Sequence, residues 1–516
     1  MKRRWSAILG IFIALGGAGC GTRAVDHPLA GEQRNEDRRG IAAEADHPFV
    51  VLAFSGGGSR AAALAAGVTK RLDRTFYQTP SGDRRRLSQD IAVVSSVSGG
   101  SVYATYLALH GASAERAEAF QQRIAEFDGI GYITGRLINP LTWIGLRLQR
   151  KTRIEILQDM LTRLLETDAT LATLNQRNQP LFLLNASDVV AGQVFTFDPR
   201  TLDDLCMNFD QVPLVLATTA SAAFPIAFTP VLLQNNSYVD RAGCRNRQML
   251  ADDWRVQLTE QDSRYLNFEQ FRLARYRDSL RAGLYDDSKP GDPEPFRQPL
   301  YLRLVDGGVV DNLGLTAVRR EFLADRSKAN LNDLARARSL RHLVIIVVNA
   351  RSDPVNSLDG SNQRLRLPRF ALTVAGSLVD SASAGAAAAY RGFLFNLADD
   401  RENLLRGGNE GADFEIYPID IDFDLLPDET KEQRARRDRV KSIATSWTLQ
   451  DGEVPLLDSV AGELLWRHPC FLHLLDNLKA RDMNTPEAPP VMDDLPCPFP
   501  TAAQARQSVG RPMGGG

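Results

Sequence analysis

Hydrophobic residues lie along this chain in short continuous runs, and strict alternation with polar residues is rare. The first run is Phe49–Phe54, and an alanine-rich, helix-favouring stretch from Arg60 to Leu72 follows it. A second run, Ile91–Val94, leads through a Gly-Gly turn into a helical segment at residues 103–110. Continuous apolar strands are typical of a sheet covered on both faces. The pattern predicts an α/β fold with a mostly parallel central sheet and helices on both faces.

Further apolar runs extend the predicted sheet and define its insertions. They lie at Leu181–Leu184, Val194–Phe197, Tyr301–Val305, His342–Val348 and Phe414–Ile421. Residues 111–180 carry apolar positions at helical spacing, whereas residues 233–298 are polar, aromatic-rich and weakly patterned. We therefore expect a core at residues 48–350 with these two insertions. A C-terminal α/β extension is predicted at 351–480, beginning with an alanine-rich helix at 370–395, and a disordered tail at 481–516.

The N-terminus has the layout of an export signal. Three basic residues precede an apolar run from Ala7 to Gly19 that is too short to span a bilayer. The small residues that end this run on Cys20 resemble a bacterial lipoprotein signal, which predicts a signal peptide at 1–19 and lipidation of Cys20. Plain secretion and an uncleaved anchor are the alternatives. The expected location is the outer membrane of a Gram-negative bacterium, with residues 20–47 as a polar tether.

Composition limits the partners. The formal net charge of −2 gives no field that would favour nucleic acid. The five cysteines and six histidines show no ligand spacing for zinc, so we expect no metal and no cofactor. Export makes disulfides plausible, and proximity favours the pairs Cys206–Cys244 and Cys470–Cys497.

Ser98 follows the second strand, in Ser96-Val97-Ser98-Gly99-Gly100. A nucleophile elbow needs small residues two before and two after the serine, and here Ser96 replaces the first glycine. The alternative is an ordinary helix N-cap serine.

The first strand ends in a glycine-rich turn, Ser55-Gly56-Gly57-Gly58-Ser59-Arg60. Successive backbone N–H groups at a helix N-terminus suit a developing oxyanion. Dinucleotide binding is the rival, but the next strand ends without an acidic residue for a ribose, and no Gly-Lys-Ser/Thr forms a Walker loop.

Asp306 ends the strand Tyr301–Val305 and precedes Gly307-Gly308. An acid at a strand's C-terminal end lies where α/β folds gather ligands, and the alternative is an Asp that only holds a tight turn. No histidine lies in a comparable turn, so a Ser-Asp dyad of Ser98 and Asp306 is predicted. We expect Asp311 and Asn312 to cap the next helix and order the turn.

These three blocks, in this order, resemble the patatin-like phospholipase family. Asn185-Ala186-Ser187-Asp188 and the Ala220–Pro230 block are similar to further family segments. The resemblance implies Ser98 as nucleophile and Asp306 as base. It also implies Gly56, Gly57 and Gly58 as the oxyanion hole, with Arg60 beside it as a substrate-binding residue.

The implied function is a serine acyl hydrolase that cleaves esters of membrane lipids, as a phospholipase A or lysophospholipase. Its partners would be a phospholipid or other acyl-ester lipid and the membrane that holds lipidated Cys20. A general lipase or esterase with the same dyad and a non-catalytic lipoprotein binding module are the alternatives. Ile133–Leu148 is predicted to be core, with a bilayer interface or a roof over the cleft as the other interpretations.

Overall fold

A computed structural model of the chain describes most of the predicted core and its C-terminal continuation. The described residues are 24–29, 33–41, 43–44, 46–149, 151–177, 179–238, 276–277, 279–280, 299–323, 327–351, 381, 384–398, 401, 413–482 and 497. The predicted signal peptide, Cys20, Cys244, residues 370–380, most of the insertion at 233–298 and nearly all of the tail at 483–516 lie outside them.

The described residues form a central sheet of eight strands and a small second sheet of three. The strands are β1 Phe49–Phe54, β2 Thr75–Gln78, β3 Arg84–Arg86, β4 Ile91–Val97, β5 Leu181–Asp188, β6 Gln193–Phe197, β7 Val231–Gln234, β8 Tyr301–Asp306, β9 His342–Asn349, β10 Glu415–Asp422 and β11 Arg481–Asp482. The central order is β10-β9-β1-β4-β5-β8-β7 with β6 on β5, and the small sheet is β11-β2-β3. Strands β10, β9, β1, β4 and β5 are parallel to one another. This confirms the predicted α/β fold with its mostly parallel sheet.

Helices cover both faces of the central sheet. They are α1 Gly58–Arg74, α2 Gly99–His110, α3 Ala114–Glu126, α4 Gly129–Ile138, α5 Pro140–Leu148, α6 Ile154–Leu165, α7 Pro199–Asp204, α8 Leu214–Ser221, α9 Leu315–Leu323, α10 Leu331–Arg336, α11 Lys431–Lys441, α12 Glu453–Arg467 and α13 Pro469–Leu478. Residues 384–398 are also helical. Within the described part of the chain, no helix combines the length and apolar character that a membrane crossing requires.

The continuous apolar runs are explained by two hydrophobic cores, one on each face of the sheet. In β1, Leu52 and Phe54 belong to the core that α1, α2 and α12 complete. Val51 and Ala53 point into the other core, which α9 and residues 384–398 complete. Because both faces are buried, neither set of alternating positions is free to be polar.

The structure of residues 24–29 and 33–41 contradicts the prediction of a polar tether at 20–47. Val25 bridges to Leu233 beside β7, and Leu29 is buried. The polar side chains of this segment have specific partners: Arg38 forms an ion pair of 2.7 Å with Asp210. The Asn35 side chain donates to the Met207 carbonyl at 2.7 Å. The polar residues that suggested a tether therefore belong to a segment that packs against polar groups on the surface of the globule.

The C-terminal part completes the same sheet. Strand β10 pairs with β9 along its whole length, and Gly67 of α1 has room for no side chain because a Cβ there would lie 2.8 Å from Ala461 of α12. The predicted disulfide Cys470–Cys497 is confirmed. Cys206 is also disulfide-bonded, while Cys244 lies outside the described residues.

Candidate active site

Ser98 occupies the turn between β4 and α2 in an unusual backbone conformation. Its φ of 53° and ψ of −121° lie in a region that non-glycine residues rarely adopt. The turn is tight because the following glycines face backbone: a Cβ at Gly99 would lie 2.0 Å from the Gly58 carbonyl oxygen, and one at Gly100 would lie 2.7 Å from Phe54. Strain of this kind persists where the surroundings enforce it, and it is concentrated at functional sites.

The serine that replaces the first glycine of the elbow is accommodated by hydrogen bonding. Ser96 is fully buried at the end of β4, and its hydroxyl accepts from the Ser101 hydroxyl at 3.0 Å. A serine at this position therefore leaves no buried hydroxyl without a hydrogen-bond partner.

Asp306 accepts a hydrogen bond from Ser98: the distance from Ser98 Oγ to Asp306 Oδ2 is 2.7 Å. The register of the sheet explains how residues so distant in sequence meet. Val97 of β4 pairs with Asn185 of β5, and Asp306 of β8 pairs with the next residue, Ala186. Strands β4 and β8 thus lie end to end along one edge of β5, with Ser98 and Asp306 at the junction.

The direction of the strand that carries Asp306 differs from the expectation. We expected its position to follow from the C-terminal ends of parallel strands, but β8 is antiparallel to β5. Asp306 reaches the site because β8 pairs only with the last part of β5, so that its end meets the end of β4.

The environment of Asp306 makes it a stronger base. Burial raises the pKa of Asp306 to about 6, against the opposing effect of hydrogen bonds from the Ser98 hydroxyl and the Gly308 N–H. The carboxylate is ionised at neutral pH, and its affinity for a proton is close to that which general-base catalysis requires. Among the described residues, which include all six histidines, none places an imidazole in hydrogen-bond contact with Ser98 or Asp306.

The glycine-rich turn lies against Ser98. A Cβ at Gly56 would be 3.2 Å from the Ser98 Cβ. Gly57 and Gly58 have φ values of 141° and 61°, in the region that favours glycine. Ser55 holds the turn: its hydroxyl accepts a hydrogen bond of 2.9 Å from the N–H of Ala350, the residue that follows β9.

The three glycines are not equivalent as oxyanion donors, which corrects part of the prediction. The Gly56 N–H donates to the Asn312 carbonyl at 3.1 Å and is therefore already engaged. Within the described chain, the N–H groups of Gly57, Gly58 and Gly99 have no hydrogen-bond acceptor. Gly99 was not among the predicted donors, although the residue after a nucleophile commonly contributes its N–H.

The surroundings of Arg60 contradict its predicted role as a substrate-binding residue. Its side chain is only 2% exposed. The guanidinium donates to the Ala350 carbonyl at 2.9 Å, to the Ile443 carbonyl and to the Thr445 hydroxyl at 3.0 Å. Burial lowers the pKa of Arg60 to about 10, with Glu453 opposing that effect. Arg60 therefore joins the start of α1 to the C-terminal part of the sheet and is not available to a ligand.

Two sequence segments to which no role was assigned, Asn185–Asp188 and Ala220–Pro230, support the turn that holds Ser98. The Ser221 hydroxyl accepts from the Ser98 N–H at 2.9 Å and donates to the Asn185 carbonyl at 2.6 Å. The Asn185 side chain donates to the Ser96 carbonyl at 3.1 Å. These buried hydrogen bonds fix the backbone on which Ser98 is held.

Asp311 orders the turn after β8, as predicted. The Asp311 carboxylate accepts from the N–H groups of Leu313, Gly314 and Thr316 at 2.6–3.0 Å. Asn312 lies closer to the site than expected, because a Cβ at Gly56 would be 2.3 Å from its side-chain oxygen. Among the described residues, no cluster of His, Cys, Asp or Glu is arranged to hold a metal ion.

Residues 52–246 match the family model described as patatin-like phospholipase. This range is similar to the patatin-like phospholipases. The matched range includes the glycine-rich turn and Ser98.

Residues beyond the matched range complete the site and the sheet that surrounds it. Asp306 lies outside it, as do Ala350 and Ile443, which bind the Arg60 guanidinium. Strands β8, β9 and β10 are likewise outside it and complete the central sheet.

Human GIVD cytosolic phospholipase A2 is among the similar solved structures. It has 14% sequence identity to this chain and a TM-score of 0.31, with 58% of this chain and 45% of that protein covered. The chain therefore spans less than half the length of that protein. No curated protein matches the chain.

Proposed function

We propose that this protein is a serine acyl hydrolase that cleaves carboxylic esters of membrane lipids, as a phospholipase A or lysophospholipase. The 2.7 Å hydrogen bond between the Ser98 hydroxyl and the buried Asp306 carboxylate carries the proposal. A general lipase or esterase with the same dyad differs only in the lipid that it accepts.

The first half-reaction forms an acyl-enzyme. Asp306 Oδ2 takes the proton from Ser98 Oγ while Oγ attacks the ester carbonyl carbon. Negative charge develops on the carbonyl oxygen, where the free N–H groups of Gly57, Gly58 and Gly99 would stabilise it. The tetrahedral intermediate breaks its bond to the alcohol oxygen, and Asp306 returns the proton to the leaving alcohol.

The second half-reaction hydrolyses the acyl-enzyme. Asp306 takes a proton from water as the water oxygen attacks the acyl carbonyl, and the same donors stabilise the second oxyanion. The acyl–Oγ bond then breaks, the proton goes to Ser98 Oγ, and the fatty acid is released. The conformational strain at Ser98 keeps Oγ in one position throughout both steps.

Hydrolysis by dyad variants tests the proposal. We expect Ser98→Ala and Asp306→Ala to lower kcat/KM at least about 10³-fold on a p-nitrophenyl ester and on phospholipid vesicles. Ser442→Ala, at an exposed hydroxyl outside the site, is the matched control and should retain wild-type rates. Equal activity of all variants would contradict the dyad, and wild-type turnover of the soluble ester alone would favour the general esterase.

The same proposal predicts the pH dependence of the rate. Because Asp306 must be ionised to accept a proton, kcat/KM should rise with pH and level off above about 6. A rate that falls as pH rises through this range would contradict the role of Asp306.

We also propose that the protein is exported and anchored in the outer membrane by lipid on Cys20. The proposal is supported by the signal-like N-terminal sequence. The N–H of Val25 donates to Leu232, so that an extended chain of five residues would hold the globule within about 18 Å of the anchor. Labelled palmitate should enter the wild type but not Cys20→Ala, and equal labelling of both would contradict lipidation.

A further inference from the structure

The helical hairpin α4–α5, residues 129–148, exposes large apolar side chains. Ile138 is 61% exposed, and Leu141, Ile144 and Leu148 are 72%, 56% and 81% exposed. The last three recur at i, i+3 and i+7 in α5 and therefore share one helix face. This corrects the prediction that Ile133–Leu148 is core: Ile133 and Leu137 are packed or buried, whereas the face of α5 is open to solvent.

The beginning of the hairpin is held close to the glycine-rich turn. The Gly129 N–H donates to the Trp447 carbonyl, and the Ile130 N–H donates to the Thr448 hydroxyl at 2.9 Å. The neighbouring Ser446 carbonyl accepts from the Ser59 N–H at 2.8 Å. Residues 446–448 thus connect the first turn of α4 to the candidate oxyanion donors.

The segment that follows the hairpin is held on the other side of the site. The Thr152 and Thr229 hydroxyls are hydrogen-bonded at 2.7 Å, and Arg153 donates to the Ile226 carbonyl. Ala223, close by in the same loop, accepts from the Asp306 N–H at 3.0 Å. The hairpin is therefore attached next to Ser98 through one end and next to Asp306 through the other.

The charge of this segment complements an anionic surface. Between Asp128 and Glu155 the sequence contains no acidic residue and five basic ones, Arg136, Arg147, Arg150, Lys151 and Arg153. Over the whole chain, acidic and basic residues nearly balance, at 63 and 61. An apolar helix face next to basic residues is the composition of helices that lie in the interface of anionic membranes.

We propose that the α4–α5 hairpin docks on the surface of a bilayer that contains anionic phospholipid, with Ile138, Leu141, Ile144 and Leu148 inserted among the lipids. The inference rests on the proposed function, because docking would serve to bring lipid esters to Ser98. Because the sequence between Asp128 and Glu155 carries five basic residues and no acidic one, two copies of this segment would repel each other, which disfavours a second copy as the occupant.

Co-flotation with vesicles tests the docking without turnover. The full chain carries Ser98→Ala, so that no lipid is cleaved, and Cys20→Ala, so that no acyl anchor contributes. Binding is measured to phosphatidylcholine vesicles with and without phosphatidylglycerol. We expect Leu141→Asp/Ile144→Asp to lower the partition coefficient about tenfold or more, and the anionic lipid to raise that of the parent chain several-fold.

Leu323→Asp/Leu425→Asp is the matched control, because both leucines are about half exposed, at 52% and 50%, and lie outside the hairpin. It should bind as the parent does, and thermal unfolding of each variant should confirm that it is folded. Equal partitioning of the hairpin and control variants would overturn the proposal. The proposal would also be overturned if the hairpin variant bound vesicles as the parent does but no longer formed a dimer in sedimentation equilibrium. That result would assign the face to a second copy of the chain. Because the parent is already inactive, docking can succeed when the proposed hydrolysis fails, and the reverse also holds.

Discussion

At the scale of residues, Asp306 is a buried negative charge that no cation balances within the part of the chain that the structure describes. Its carboxylate is 5% exposed and is stabilised by the Ser98 hydroxyl and the Gly308 N–H. Within the described residues, no Lys or Arg forms an ion pair with it. The folded protein therefore gives up stability to hold a base in the site, as expected where function and stability compete.

Asp306→Asn removes this cost. A pKa raised from 3.8 to about 6 means that ionised Asp306 destabilises the folded state by about 3 kcal/mol. The carboxyl is neutral in both states below about pH 4, so the penalty develops as pH rises and is complete above about 6. We expect the variant to be more stable than wild type by up to about 3 kcal/mol at pH 8, and equally stable below pH 4. Denaturant unfolding at several pH values measures this, and a constant difference would contradict it.

The chemistry-bearing residues were predictable because each follows a recognisable strand and turn. Ser98 and Asp306 are in contact as their motifs suggested. The role of Arg60 was not predictable, because its partners Ala350, Ile443 and Thr445 lie far along the chain and include backbone groups. Backbone acceptors leave no sequence signal.

At the scale of elements, the site is formed where β1, β4 and β8 end. Most of the long apolar strands were predictable from their continuous runs, but β2 and β3 were not, since β2 has only four residues and β3 consists of three arginines. The antiparallel direction of β8 was also unpredictable, because strand direction depends on connections and register that no local pattern records. The polar residues at 24–29 and 33–41 were interpreted wrongly for a related reason: side chains such as Arg38 and Asn35 bind partners that lie far along the chain.

Arg60 at the start of α1 provides a test at this scale. Arg60→Leu leaves the Ala350 and Ile443 carbonyls without their donor, and we expect it to destabilise the protein by about 3 kcal/mol or more. Arg116→Leu, at an exposed position of α3, is the control and should change stability by about 0.5 kcal/mol or less. Full stability of Arg60→Leu with a raised KM would instead assign Arg60 to substrate binding.

At the scale of the whole molecule, the fold that forms the candidate site extends over more of the chain than the patatin-like match at 52–246. Strand β10 and helix α12 belong to the same sheet and core as β1 and α1. Residues 446–448 join the glycine-rich turn to the exposed α4–α5 hairpin. The region that was expected to be an extension thus links the candidate chemistry to the surface where we propose lipid docking.

The most direct test of the central claim is to identify the residue that a fluorophosphonate modifies. Such a reagent forms a stable bond with an activated serine and leaves ordinary hydroxyls unmodified. Peptide mass spectrometry of the wild type should find one adduct per chain, on Ser98, and Asp306→Ala should react far more slowly. An adduct on another serine, or ester hydrolysis that continues while Ser98 remains unmodified, would contradict the Ser98–Asp306 dyad.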